Sequence, residues 1–163
     1  MTGRIRSTAT IAGHPIHPMF VSFPIAFWLA ALVSDLFFAA GSGDGWAVAS
    51  LWLVGAGIVL ALIAAVFGFI DFFGEAKIRS LRHAWEHMLG NLLAVALAAA
   101  SLLLRLSGDP AEAVLPWGLL LSCLIAAILL FTGWRGADLV YRHGTGVRDE
   151  ASPPSNSNQR LRS

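Results

Sequence analysis

Four long runs of apolar residues constrain the fold of this chain more than any other feature. The runs are Met19–Ala40, Trp46–Phe73, His87–Leu104 and Val114–Trp134. A helix needs roughly 20 residues to cross a hydrocarbon core of about 30 Å. Each run is near or above that length, although the third needs residues 83–88 to complete its span. The sequence therefore predicts an all-α integral membrane protein built as a four-helix bundle.

The composition favours the same class of protein. Hydrophobic residues make up 56% of the chain and charged residues only 13%, whereas soluble domains carry about 25% charged residues. The lipid bilayer is thus the first expected partner. Basic residues do not alternate with aromatic residues in the way that nucleic-acid binding uses, so we expect no nucleic acid. With Cys123 as the single cysteine, no intramolecular disulfide can form.

The distribution of positive charge predicts the orientation. Lysines and arginines lie before the first run, between the second and third, and after the fourth: Arg4, Arg6, Lys77, Arg79, Arg82, Arg135, Arg142, Arg148, Arg160 and Arg162. The other two connections hold only Arg105. Because positive residues stay on the cytoplasmic side, both termini should be cytoplasmic. We predict a mobile segment at 1–12, a membrane domain at 13–147 and a disordered tail at 148–163.

Small residues indicate close helix packing. The second run carries Gly57, Ala61, Ala64, Ala65 and Gly68, and the third carries Ala94, Ala96, Ala98 and Ala100. Rows of small residues let transmembrane helices approach one another. These faces are consistent with a tight bundle, and equally with contacts to a second copy or to other membrane subunits.

All five histidines fall at the predicted cytoplasmic ends of the runs: His14, His17, His83, His87 and His143. Histidine is the commonest metal ligand and changes charge near neutral pH. His14 and His17 are three positions apart, which places their side chains on the same side of a polyproline helix or an α-helix. The spacing of four between His83 and His87 does the same on a helix.

Two polar residues could orient these histidines. Asn91 follows His87 by one helical turn, and Asp71 lies near the cytoplasmic end of the second helix. A carboxylate that accepts the second ring N–H is the usual support of a ligating histidine.

Two kinds of ligand fit the histidine pattern. A pair one turn apart on a helix, His83 and His87, suits a single divalent metal ion. A haem b needs axial ligands from opposite sides, which predicts His14 or His17 together with His83 or His87. No histidine lies at the opposite face, so at most one haem is expected. The histidines could instead serve only to begin the helices and bind no ligand. For His143 alone, we favour a contact with a lipid headgroup.

Several motifs together resemble a known family. They are Gly-His-Pro-Ile-His-Pro-Met at 13–19, Phe-Pro-Ile at 23–25, Phe-Gly-Phe-Ile-Asp at 67–71, His87 with Asn91, and Leu-Val-Tyr-Arg-His-Gly-Thr-Gly-Val at 139–147. In these the chain resembles the bacterial predicted inner-membrane proteins of domain of unknown function 2231. The resemblance implies a multi-pass protein of the bacterial inner membrane without an established activity. Some relatives are joined to Rieske-type iron–sulfur modules, which implies membrane redox work.

We therefore expect one haem b or metal ion near the cytoplasmic face, used for membrane electron transfer. One alternative is a non-catalytic scaffold or accessory subunit. Another is a small proton-coupled transporter that uses Asp35 and the histidines as a relay. Asp35 lies roughly 26 Å along the helix from Pro18, which places it near the outer boundary of the membrane. Apart from a histidine pair before the first and third helices, we find no repeat between the two halves of the sequence.

Overall fold

The computed structural model describes residues 7–12 and 14–145. The predicted tail at 148–163 and residues 1–6 lie outside the described part. Two short strands precede the helices, β1 (Thr10–Ile11) and β2 (His14–Pro15), and they pair antiparallel. The helices are α1 (Ile16–Ala39), α2 (Gly45–Gly74), α3 (Ala76–Arg79), α4 (Arg82–Leu106), α5 (Pro110–Ala113) and α6 (Leu119–Tyr141).

The prediction of an all-α bundle with four membrane-crossing helices is confirmed. Three spans are α1, α2 and α4, and the fourth runs from Pro110 to Tyr141. In this last span an irregular turn at Val114–Gly118 joins α5 to α6, and Leu115 has extended backbone angles there. α2 and α4 extend past their apolar runs at both ends, and α1 begins three residues before its run.

The four long helices occupy the corners of a square. α1 packs most extensively on α2 and α4 on α6, whereas the α1–α6 and α2–α4 contacts are smaller. Consequently α1 and α4 lie on one diagonal. We call the end with β1, β2, α3 and the last turn of α6 the terminal end, and the end with the Ala40–Asp44 turn the loop end.

Some of the small residues pack in the interior of the bundle. Gly57 packs against the indole of Trp28, a largely buried side chain whose Nε1 donates to the carbonyl of Val54 over 3.3 Å. Ala94 and Ala98 are fully buried in the same core. By contrast Ala96 and Ala100 are exposed on the outer surface of α4, because each lies two positions, about 200° around the helix, from a buried alanine.

Part of the predicted mobile N-terminal segment is anchored. The carboxylate of Asp71 accepts hydrogen bonds from the backbone N–H groups of Thr8 and Ala9, at 2.6 and 2.7 Å, and from the Ser7 hydroxyl at 2.9 Å. A carboxylate binds successive amides strongly because each bond is charge-assisted. Residues 7–12 therefore form a strap across the terminal end of α2.

The contacts of the first hairpin recur in the second. His17 and His87 are 70 positions apart, and so are Asp35 and Arg105. Each histidine donates to a carbonyl of the next long helix, and the aspartate and arginine pair with each other. The hairpins α1–α2 and α4–α6 therefore face each other across the bundle axis with equivalent residues in contact. This repeat was not predicted from the sequence.

Candidate functional site

The five histidines all lie at the terminal end, but they form separate groups. His17 and His87 face each other on the diagonal helices, and their ring centroids are 6.1 Å apart. His83 and His143 form a second pair, with centroids 5.8 Å apart. His14 is exposed in β2 and pairs through its backbone with Ile11. The structure thus brings together one histidine from each of the two predicted pairs.

His17 is fixed by α2. Its Nδ1 lies 2.9 Å from the carbonyl oxygen of Ala64. A carbonyl only accepts, so Nδ1 must carry the proton. Gly68 lies one turn further along α2, and a Cβ there would be 3.0 Å from Nδ1. The absence of a side chain at Gly68 lets this edge of the imidazole rest on the helix backbone.

His87 is fixed by α6 in the same manner. Its Nδ1 lies 2.9 Å from the carbonyl oxygen of Thr132, and a Cβ at Gly136 would be 3.0 Å from the ring Cε1. In addition, the Asn91 amide nitrogen lies 3.3 Å from His87 Nε2 and 2.8 Å from the His87 carbonyl oxygen. The Thr132 hydroxyl approaches the Asn91 side-chain oxygen at 3.3 Å. His87, Thr132 and Asn91 therefore close a ring of polar contacts.

These hydrogen bonds fix the tautomer of the pair. With a proton held on Nδ1, each imidazole in its neutral form presents a lone pair at Nε2, and that of His87 faces the Asn91 amide. The ring planes are nearly perpendicular, at 88°. Two half-buried nitrogen lone pairs from opposite helices can bind an electrophile, such as a metal ion or a haem iron. They can also accept hydrogen bonds.

The structure separates His83 from His87. The ring of His83 points toward the end of α6, where its Nδ1 lies 3.9 Å from Asp138 Oδ2. That nitrogen is buried and has no hydrogen-bond partner among the described residues. Asp138 is held by Arg142, whose Nε lies 2.8 Å away. Two residues four apart differ by about 40° around a helix, which is enough here to direct the two rings to different neighbours.

Asp71 supports the N-terminal strap instead of a histidine. Its oxygens accept from Ser7, Thr8 and Ala9, as described above. Asn91, in contrast, lies where the sequence predicts, beside His87. Within residues 7–12 and 14–145, no group of three or more histidine, cysteine, aspartate or glutamate side chains is arranged to hold a metal ion.

A second polar site lies at the loop end. Arg105 donates from both terminal nitrogens to Asp35, with distances of 3.0 and 2.8 Å. Ser122 donates to Asp35 Oδ2 at 2.6 Å, and Arg105 Nε donates to Ser101 at 3.2 Å. Both charged side chains are fully buried. Asp35 is therefore saturated with hydrogen bonds and shielded from solvent, and Arg105 belongs to α4 and not to a loop.

Several residues of these sites were missed by sequence reasoning. Gly68 and Gly136 support the rings, Thr132 completes the polar contacts of His87, and Arg105 neutralises Asp35. One signal was available in the sequence, because Asp35 follows His17 by the same interval at which Arg105 follows His87. The backbone carbonyls that hold the rings carry no residue-specific signal.

Neither the curated proteins nor the solved structures contained a match. The sequence profile of one family, described as "predicted membrane protein (DUF2231)", matches residues 13–149. This match spans all four long helices and both polar sites. The chain belongs to the DUF2231 family of predicted membrane proteins.

Proposed function

We propose that this protein is a membrane electron carrier that binds one haem b between His17 and His87. The observation that carries the proposal is the paired arrangement of these imidazoles. They come from diagonal helices, and each has its Nδ1 committed to a backbone carbonyl. A ligating histidine almost always donates its other ring N–H to such a group, which fixes the tautomer and the ring orientation.

The separation of the rings supports trans ligation of one metal. When two imidazoles bind one metal from opposite sides, each metal–nitrogen bond is about 2 Å long. With the distance from each nitrogen to its ring centre added, the two ring centroids lie roughly 6 Å apart. The separation in the structure is 6.1 Å. The distance between the ring centroids of His17 and His87 is therefore the one expected for two imidazoles that hold one metal between them.

The ligand set favours haem over a divalent ion. A zinc-type site draws three or four ligands from the protein, and the described residues offer no such group. A haem takes four ligands from its porphyrin and needs only two from the chain. His17 and His87 would hold the haem, which would supply one-electron chemistry, and the protein would contribute ligation, burial and hydrogen bonding.

Charge supports placement of this site at the cytoplasmic face of a bacterial inner membrane. Lys77 and Arg79 lie in the connection at the terminal end, and Arg82 is the first residue of α4 there. The connections at the loop end, residues 40–44 and 107–109, contain no lysine or arginine. Since Arg105 is buried in α4 and paired, the asymmetry of loop charge is larger than the sequence suggested. This asymmetry supports a cytoplasmic position for the terminal end.

The transporter alternative has less support. A relay residue must exchange protons with water, and Asp35 is buried and fully hydrogen-bonded to Arg105 and Ser122. If the protein binds no cofactor, a scaffold or accessory subunit is the alternative. In that case the polar contacts of His17 and His87 would serve only to join helices.

The test is an absorption spectrum combined with elemental analysis. The protein is expressed with haem supply, purified in mild detergent and measured oxidised and reduced. We expect stoichiometric iron and a Soret band that shifts on reduction. His17→Ala and His87→Ala should each remove this six-coordinate spectrum, whereas His14→Ala and His83→Ala should retain it. A colourless sample with stoichiometric metal would assign a divalent ion instead, and a colourless sample without metal would favour the scaffold.

A further inference from the structure

Charged side chains of α4 and α6 form a continuous row at the terminal end. Arg82 Nε donates to Glu86 at 2.7 Å, and the second oxygen of Glu86 lies 2.9 Å from Arg135 Nε. Asp138 continues the row, with one oxygen 3.8 Å from Arg135 Nη1 and the other 2.8 Å from Arg142 Nε. We call these five residues the charged row. It joins the first residue of α4 to the residue that follows α6.

The charged row carries more positive than negative charge. Its three guanidinium groups face two carboxylates. This leaves one unit of positive charge when the imidazoles behind the row, His83 and His143, are neutral. A single negative charge from another molecule would therefore balance the row.

The two ends of the charged row are open to the surroundings. The side chains of Arg82 and Arg142 are 88% and 65% exposed, and each contacts its carboxylate through Nε. Among the described residues, none accepts a hydrogen bond from the terminal nitrogens Nη1 and Nη2 of either arginine. The planar guanidinium group can hold a phosphate through two parallel N–H bonds. Each exposed arginine therefore presents a donor edge that fits a phosphate.

Two exposed aromatic side chains of α6 lie next to the arginines of the charged row. Trp134 precedes Arg135, and Tyr141 precedes Arg142. The two aromatic residues are seven positions apart, which places them on one face of the helix, and they are 68% and 87% exposed. Exposed tryptophan and tyrosine at the ends of membrane helices lie at the level of the lipid headgroups. The free guanidinium edge of Arg142 is therefore at the depth of a lipid phosphate.

We propose that the charged row binds one anionic phospholipid, whose phosphodiester is held by Arg142 and whose glycerol and upper acyl chains pack on Trp134 and Tyr141. A phosphodiester with an uncharged headgroup, as in phosphatidylglycerol, carries the one negative charge that the row lacks. A zwitterionic phospholipid carries its own ammonium group and supplies no net charge. Basic residues beside membrane helices attract anionic lipids of the cytoplasmic leaflet. This inference is independent of the proposed haem.

Native mass spectrometry of the full chain in detergent tests the proposal, with phosphatidylglycerol or phosphatidylcholine added. We expect the wild-type protein to bind one phosphatidylglycerol about tenfold more tightly than phosphatidylcholine. Arg142→Gln should weaken the binding of phosphatidylglycerol about tenfold, the effect of losing one charge-assisted contact. Arg142→Lys keeps the charge but loses the planar fork, so its affinity should lie between those of the wild type and Arg142→Gln.

Lys77→Gln is the matched control, because Lys77 is an exposed cation at the same end of the bundle and outside the charged row. It should bind phosphatidylglycerol as tightly as the wild type. Arg82→Gln removes the excess charge at the far end of the row, so it should weaken binding less than Arg142→Gln. This variant keeps the test valid if Arg142→Gln fails to fold.

Three results would overturn the proposal. The wild-type protein could bind both lipids equally, or Lys77→Gln could weaken binding as much as Arg142→Gln, which would show that only the general surface charge matters. Inorganic phosphate, added at constant ionic strength, should not displace the lipid, because it makes no contact with Trp134 and Tyr141. Displacement by phosphate would show that a free anion, and not a lipid, is the ligand.

Discussion

The two polar sites of this bundle use the same pair of helices, α1 and α4, but satisfy their polar groups differently. At the loop end Asp35 and Arg105 bind each other and two serines, so that their charges are neutralised within the protein. At the terminal end His17 and His87 use only one ring nitrogen each for the helices that hold them. The loop end is therefore a closed structural contact. At the terminal end, Nε2 of His17 has no protein hydrogen-bond partner among the described residues, and Nε2 of His87 contacts only Asn91.

This difference explains why two sites at equivalent positions can have different roles. A buried ion pair leaves no group free for another molecule, and removal of either partner exposes an uncompensated charge to the bundle interior. Neutral imidazoles cost little to bury when one nitrogen donates to a carbonyl. The comparison predicts that substitutions at the loop end change stability, whereas those at the terminal end change the ligand.

The largest effect is expected from Asp35→Asn. The variant leaves Arg105 buried without its counter-charge, which should lower the free energy of unfolding by about 3–5 kcal/mol. Thermal unfolding in detergent measures this loss, with exposed Glu112→Gln as the control for removal of a carboxylate. The double variant Asp35→Leu with Arg105→Met should regain most of the stability, because an apolar pair often replaces a buried ion pair without loss. Equal stability of wild type and Asp35→Asn would show that the loop end is not a structural contact.

A smaller effect is expected from Gly136→Ala. A Cβ at this position would press on the ring of His87 at 3.0 Å, so the ring must shift by a few tenths of an ångström. Gly133→Ala, three residues earlier on α6, meets open space. It should gain up to about 1 kcal/mol from helix propensity, and Gly136→Ala should fall below it by about 1 kcal/mol through overpacking. Only Gly136→Ala should also alter the absorption spectrum of the bound haem, and an identical spectrum in both variants would exclude Gly136 from the site.

The smallest effect on global stability is expected from Asp71→Asn, which weakens the strap of residues 7–12. The loss of charge-assisted bonds should speed hydrogen exchange at the amides of Thr8 and Ala9 by about tenfold, with little change in the unfolding temperature. Asp44→Asn is the control, since the Asp44 side chain makes no capping bond at the start of α2. Unchanged exchange in Asp71→Asn would show that the strap is held by other contacts.

The helices were predictable because the length and apolarity of a membrane span are local properties of the sequence. Which helix faces pack together depends on residues that are far apart in the sequence. The spacing rule placed His83 and His87 on one face, but α6 contributes different neighbours to each, Asp138 to the first and Thr132 to the second. The third apolar run ends at Leu104, which predicts that Arg105 lies in a loop. Its pairing with Asp35 across the bundle instead lets α4 continue through it.

The candidate site was partly predictable for the same reason. One histidine from the first helix and one from the third follow from the requirement for opposite axial ligands. The selection of His17 over His14 depends on the point at which α1 begins, one residue before His17. The support of the rings by Ala64 and Gly68 depends on helix pairing, which no local pattern encodes.

The most direct test of the account is low-temperature electron paramagnetic resonance of the oxidised, haem-loaded protein. The ring planes of His17 and His87 are nearly perpendicular, and perpendicular axial imidazoles give ferric haem a highly anisotropic low-spin signal. We predict that signal in the wild-type protein and in His83→Ala, and its loss in His17→Ala and His87→Ala. A high-spin signal alone in the wild-type protein, or a low-spin signal that survives both of the latter substitutions, would contradict ligation by this pair.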